Sequence, residues 1–302
     1  MQKPNLLILS TGYISDNFVR KYHRNYNIHI SSRKKLSKFH KNFKCNYVGD
    51  FFDKPLTILK NRNFEKVLIF SSNFSSSSND QIELKEFLKK FKMIVSLVGD
   101  IKTVKKLIYL SSSSLYGLTE KKRLFTEKNK IFVDSNYRKE KFFSETIVLE
   151  TLKSSQIDFN ILRVSNPYGT NHLIPSEGFI NIAMKNIYAR KRTYISGDGS
   201  EVRDFIYIDD LVDLINICLE KKLKEKVFNV GSGKGIRLEE VVKKIILLKK
   251  DFDFEYQNQK VKNKSSILDT SLFLRDMGSF NLTSLEEGLK KFIKFIEMDK
   301  AV

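Results

Sequence analysis

Short, uninterrupted apolar runs recur along this chain, each bounded by turn residues and followed by a segment with helical spacing. The runs occupy residues 5–10, 28–31, 66–70, 106–110, 159–164 and 227–230. Runs of four to eight apolar residues without polar alternation suit strands buried on both faces. Residues 14–22, 81–98 and 136–153 carry the helical patterns between them. Strands alternating with helices predict an α/β fold with a doubly wound parallel sheet. The last third is less regular. There, helices are expected at about 179–190, 209–220 and 238–248, around a turn at 196–200. A chain of 302 residues has room for one large domain and a smaller companion. No internal repeat is present.

Composition narrows the class. The 12% aromatic and 41% hydrophobic content excludes a disordered chain. Cys45 and Cys218 stand far apart without metal-ligand neighbours, so they are expected as ordinary thiols, with no metal site. The apolar stretch 6–9 is too brief for a signal-peptide core, and no stretch reaches membrane-spanning length. A cytoplasmic protein without membrane insertion is expected. The formal charge of +19 would suit a nucleic-acid binder, but the lysines are spread along the whole chain among Asn, Ile and Phe. That spread is a drift of composition, and no nucleic-acid partner is expected. A substrate or cofactor bearing a diphosphate would gain modestly from the positive field.

Tyr137 and Lys141 lie four apart on the expected helix and so share a face. A phenol normally ionises near pH 10, too high for acid–base work at neutrality. An ammonium held beside it favours the phenolate and brings it into range. Alone, this spacing is common on exposed helices. Its context is more specific: the strand at 107–110 runs into Ser111-Ser-Ser-Ser-Leu-Tyr-Gly117, which sets hydroxyls at a strand's carboxyl end. A serine-rich loop with Ser71 and Ser72 follows another strand and is expected to line the same site. The glycines of Gly231-Ser-Gly-Lys-Gly235 lack the Lys-Ser/Thr spacing of a phosphate loop and are expected to form a turn.

With these segments the chain resembles the extended short-chain dehydrogenase/reductase family, in particular its nucleotide-sugar epimerase/dehydratase branch. The likeness covers nearly the whole chain. It rests on Tyr109 to Gly117, Tyr137 with Lys141, Leu162-Arg-Val-Ser-Asn-Pro-Tyr-Gly169, Gly197 to Asp210, which contains Arg203-Asp-Phe, and Phe228-Asn-Val-Gly-Ser-Gly233. The resemblance implies a Rossmann-type dinucleotide-binding domain over residues 1–168, with 204–230 returning to it. A smaller C-terminal α/β substrate domain then takes 169–203 and 231–302, with the site in the cleft between. It implies that Ser112 holds the sugar oxygen beside Ser113, that Tyr137 is the general acid/base, and that Lys141 tunes it and holds the cofactor ribose. Asn166 and Arg203 match the ligands of the substrate diphosphate, and Asp50 with Phe51 the adenine pocket. Family members are often dimers joined through helices of the Rossmann domain, so a homodimer is expected, with the Tyr137 helix a candidate.

Two segments depart from the family. Of the glycine-rich turn only Gly12 survives, followed by Tyr13 and Ile14; Leu9 or Ser10 stands near the first glycine and Ser15 replaces the third. Keeping the middle glycine preserves phosphate access, while losing the others predicts a shifted turn and looser helix packing. Asp16 nearby would repel a pyrophosphate. The second strand ends not in the acid that binds the NAD ribose but in Ser31-Ser32-Arg33-Lys34, which suits a 2′-phosphate. NADP(H) is therefore favoured, with NAD the alternative.

The sugar 4,6-dehydratases of the family have acidic residues where this chain has Ser113 and Ser114, which disfavours water elimination. Reduction of a nucleotide-linked 4-keto-6-deoxysugar at C4 is placed ahead of 4-epimerisation with bound NAD. A cofactor-binding scaffold without turnover is the alternative from another class.

Overall fold

The computed structural model describes residues 2–33, 35–53, 63–70, 81–120, 124–170, 177–223, 225–257 and 264–299. The chain forms two compact units. The first joins residues 1–115, 131–163 and 214–228; the second joins 116–130, 164–213 and 229–302.

The first unit is built on β1 (Asn5–Leu9), β2 (Asn27–Ser31), β3 (Asn46–Gly49), β4 (Lys66–Ile69), β5 (Lys106–Ser112), β7 (Asp158–Val164) and β11 (Lys226–Val230). They form a seven-stranded sheet in the order β11-β7-β5-β4-β1-β2-β3. The pairs β1–β2, β1–β4, β2–β3 and β4–β5 are parallel. The chain winds outward from β1 in one direction through β2 and β3, and in the other through β4, β5 and β7. Ligands of doubly wound sheets bind outside the carboxyl ends of the strands where the order reverses. Every residue of β7, and all but the last of β5, is buried, which is why neither strand alternates.

Helices α1 (Tyr13–Tyr22), α2 (Lys38–Asn42), α3 (Gln81–Gly99) and α4 (Asn136–Leu152) belong to this unit. α3 buries Leu84, Phe87, Phe91, Ile94, Val95 and Val98, an apolar stripe of helical period. That stripe shares one hydrophobic cluster with Leu107 and Tyr109 of β5 and Val148 and Leu152 of α4. Each such side chain contributes about 2 kcal/mol by leaving water. α4 is unlike α3. Before Val148 it buries Asn136, Glu140, Lys141, Ser144 and Glu145. Such a face survives only if its polar groups find partners. Glu145 finds Arg163 of β7, which donates from Nε to Oε1 at 3.0 Å and from Nη2 to Oε2 at 2.7 Å.

In the second unit β6 (Leu124–Phe125), β10 (Val202–Tyr207), β12 (Gly235–Arg237) and β14 (Ser265–Leu268) follow the order β12-β10-β14-β6, and β8 (Asn166–Tyr168) pairs with β10. β9 (Thr193–Ser196) pairs with β13 (Phe254–Gln257). The helices are α5 (Phe179–Ala189), α7 (Leu238–Leu248), α8 (Ser271–Met277) and α9 (Leu285–Asp299). α6 (Ile208–Glu220) begins in this unit and ends in the first.

The unit boundaries differ from those expected from sequence. Residues 116–130 and 164–168, and 204–213 with them, sit in the second unit. The reason is strand pairing: β6 joins β14, and both β8 and β14 join β10. Only residues 214–228 of the expected return segment go back to the first unit. Among the described residues no helix is long and apolar enough to cross a membrane.

Truncating Glu145 to Ala would leave the Arg163 guanidinium buried without its counter-charge. The expected loss is about 3–5 kcal/mol of stability by urea unfolding. A loss below about 1 kcal/mol, the range of an exposed pair, would show that this pair does not pin α4 to the sheet.

Candidate active site

β5 ends in Ser112, and a single 3₁₀ turn, Ser113–Tyr116, follows. The Ser112 hydroxyl accepts from the Ser114 amide at 3.2 Å and donates to Ser114 Oγ at 2.9 Å, so it is oriented by the turn. Ser112 is half-buried and Ser113 buried. α4 starts opposite, capped by Ser135, whose side chain accepts from Arg138 N. In the second turn of the helix, the Lys141 ammonium donates to the Leu110 carbonyl of β5 at 3.1 Å. It lies 5.9 Å from the centroid of the Tyr137 ring. The hydrogen bond brings Tyr137 and Lys141 to the end of the strand that finishes in Ser112. Lys141 is buried, while Tyr137 is half-exposed. A proton-transfer residue needs that combination, with its charge partner dry and its own oxygen reachable.

The turn after β1 is repaired rather than loosened. Ser10 takes the left-handed conformation, φ 80°, that a glycine would adopt without strain. Ser15, in place of the third glycine, accepts from the Gly12 amide at 2.7 Å and donates to the Gly12 carbonyl at 3.0 Å. It thereby caps α1, and Ser15, Asp16 and Asn17 are all buried. The looser packing expected from sequence is not found. Asp16 is taken up by His40 of α2, whose Nε2 lies 3.0 Å from Oδ1, so it has a structural partner. Gly12 has extended backbone, and a Cβ built there would meet no atom within 4 Å. The protein's own packing does not require that glycine. The open space above it is what a closely approaching phosphate needs. Tyr13 and Ile14 form the first positions of α1, an end whose amide groups favour anions.

A pocket of about 240 Å³ opens at the carboxyl ends of β1, β2 and β3. Ser32, Arg33, Asp50 and Phe51, all singled out from sequence, line it together with Ser10 and Ser31. Phe51 donates its amide to Ser31 Oγ at 2.8 Å, which fixes this wall. The other wall escaped the sequence: Phe52, stacked on Phe87 at 5.5 Å, with Glu83, Glu86 and Lys90 of α3. Ser71, Ser72 and Lys34 lie outside the described residues. Among those described, no cluster of His, Cys, Asp or Glu could hold a metal ion.

The second unit places Asn166 and Arg203 on neighbouring strands. Asn166 of β8 stands opposite Phe205 of β10, two residues from Arg203, so the three share one face. Asn166 donates its amide to the Asp204 carbonyl at 2.8 Å. Arg203 is ion-paired with Glu201 and donates to the Val202 carbonyl at 3.3 Å. Burial pushes the Arg203 guanidinium below its ordinary value, with Glu201 acting the other way. Sequence reasoning missed Asp204. Its buried carboxylate accepts from Ser232 N at 2.8 Å, Ser232 Oγ at 2.7 Å, Gly233 N at 3.1 Å and Leu268 N at 3.3 Å. Burial raises the Asp204 carboxyl, and these hydrogen bonds oppose the rise. Its place inside Arg203-Asp-Phe was the available signal, hidden behind the arginine.

The sequence model of the NAD dependent epimerase/dehydratase family matches residues 10–231. The chain belongs to this family, within the extended short-chain dehydrogenase/reductases. It is 31% identical over 195 residues to the dTDP-4-dehydro-6-deoxyglucose reductase of Escherichia coli, a match covering 63% of this chain and 61% of the relative. It is 30% identical over 200 residues to a trifunctional UDP-glucose 4,6-dehydratase/UDP-4-keto-6-deoxy-D-glucose 3,5-epimerase/UDP-4-keto-L-rhamnose-reductase of Arabidopsis thaliana, covering 62% of this chain and 29% of the relative. Both matches span less than two thirds of the relative. Among solved structures, the UDP-N-acetylglucosamine 4-epimerase from Methanobrevibacter ruminantium M1 superposes with a TM-score of 0.83 at 22% identity, covering 99% of this chain and 100% of that one. The UDP-glucose 4-epimerase from Thermotoga maritima gives 0.82 at 23% identity, covering 98% and 99%. These structures share the Rossmann-like fold.

Replacing Asp204 with Asn would set an amide NH₂ against backbone N–H donors. A loss of about 1–3 kcal/mol in stability is expected for each donor left unsatisfied, measured by thermal unfolding. An unchanged melting temperature would remove Asp204 from its structural role.

Proposed function

We propose that the chain is a nicotinamide-dependent enzyme of nucleotide-activated sugars, and that it reduces an NDP-4-keto-6-deoxysugar at C4. One observation carries this reading: the Lys141–Leu110 hydrogen bond that holds a Tyr/Lys pair at a strand end finishing in a serine. In the reaction Ser112 donates to the sugar's C4 oxygen and orients it. Tyr137 gives its phenolic proton to the same oxygen as negative charge develops there. The Lys141 ammonium stabilises the phenolate left behind. The nicotinamide cofactor supplies the hydride when bound. Asn166 and Arg203 bind the diphosphate, the latter through a planar guanidinium fork once it releases Glu201.

The space above Gly12 and the Ser10–Ser31–Phe51 wall fit a dinucleotide, with the adenine between Asp50 and Phe51. Ser32 and Arg33 close β2 without a carboxylate and suit a 2′-phosphate, so NADP(H) is the cofactor of this reading. The reductase relative, and hydroxyls in place of acids at 113 and 114, favour reduction over dehydration. A homodimer through helices of the first unit, α4 included, and a cytoplasmic location belong to the same reading.

Purified protein given NADPH and a nucleotide 4-keto-6-deoxysugar should oxidise the cofactor. Interconversion of two nucleotide hexoses without added cofactor would replace reduction with 4-epimerisation. Failure to bind either NADPH or NAD would leave only a scaffold. Tyr137→Phe is expected to lower turnover by roughly 10²–10⁴-fold with nucleotide binding retained. Arg33→Ala should weaken NADPH by about tenfold or more and leave NADH unchanged, read by fluorescence titration. Equal weakening of both would overturn the NADP assignment.

A further inference from the structure

We infer that Tyr109 is a positioning residue for the Tyr137–Lys141 pair, its ring face holding the Lys141 ammonium at the carboxyl end of β5. This rests on the roles proposed above for Tyr137 and Lys141. Lys141 is 4% exposed, and a buried ammonium is costly unless it is held by acceptors. Its Nζ lies 5.3 Å from the Tyr109 ring centroid, 5.9 Å from that of Tyr137 and 3.1 Å from the Leu110 carbonyl oxygen. Both rings fall within the distance, about 6 Å, over which an aromatic face attracts a cation, and the attraction grows when water is excluded.

Tyr109 is suited to a fixed role. It is wholly buried and packs on Phe91 at 5.5 Å, so its ring has little freedom to turn. Burial, with Glu140 next, holds its phenol well above the ordinary value, so the ring stays neutral while Tyr137 titrates. Among the described residues, the carboxylates acting on Tyr109 are Glu140 and Glu145 of α4. Glu140 is wholly buried, and Glu145 is paired with Arg163. The buried face of α3 is apolar, and β5 presents the uncharged Ser111 and Ser112. These groups are unchanged in the variants below, so their effects cancel in the comparison.

A nearby cation lowers a phenol's pKa, so loosening Lys141 should raise that of Tyr137. Ultraviolet titration of the phenolate, taken as the difference between each protein and its Tyr137→Phe counterpart, reads Tyr137 without any substrate. Tyr109→Phe keeps the ring face and should leave the midpoint unmoved. Tyr109→Leu keeps an apolar core without a π face and should move it upward by about one pH unit. An unmoved midpoint in a Leu variant that retains the parent's circular dichroism, or an equal shift in the Phe variant, would overturn the assignment. If the Leu variant does not fold, pentafluorophenylalanine at 109 keeps the shape and inverts the ring's charge distribution. The same upward shift is then expected, and its absence overturns the proposal. Absence of turnover with every nucleotide sugar would count against the proposed function alone, since this titration needs none.

Discussion

A cation inside a protein must be surrounded by acceptors, and the first unit is arranged around one. Lys141 meets a strand carbonyl at the end of β5, and that contact fixes where α4 lies along the strand. It also explains why α4 tolerates a buried face of Asn, Glu, Lys and Ser where α3 buries only hydrocarbon. The Arg163–Glu145 pair holds the same helix farther along. Two ionic anchors then set the depth and rotation of one helix, and with them the height at which Tyr137 presents its oxygen.

The second unit solves a related problem with an anion. The Asp204 carboxylate gathers four donors from two separate stretches, while the carbonyl of the same residue holds the Asn166 side chain. Gly231 is small for the same reason: a Cβ there would come within 2.6 Å of Asp204 Oδ2. The neighbouring arginine is therefore carried on a strand whose position is set from both sides.

Long elements were legible in the sequence because burial on both faces leaves an unbroken apolar run, and because α3 keeps a helical stripe. β3, β6, β8, β9, β10, β12, β13, β14, α2, α8 and α9 were not drawn from the sequence. Most are two to six residues long, too short for a period to show, and their partners are distant in the chain. The Tyr137–Lys141 pair was readable because a four-residue interval on a helix is itself a geometry. Ser15 was misread. Its identity signals a lost glycine, but its hydroxyl restores the turn through hydrogen bonds that only the folded backbone reveals. One wall of the pocket was hidden for a different reason. Phe87 reads as core on α3, and nothing in its neighbours indicates that the core ends in a cavity there.

The interleaving of the two units has a consequence for biogenesis. The chain passes from one to the other at 115–116, 130–131, 163–164, 213–214 and 228–229. During synthesis from the amino end, the edge strand β11 of the first unit emerges only after segments 116–130 and 164–213 of the second have been made. The first unit therefore waits for its last strand while partly finished segments of the second are already exposed on the nascent chain. Such a molecule matures late and as a whole, with non-local strand pairing setting the pace.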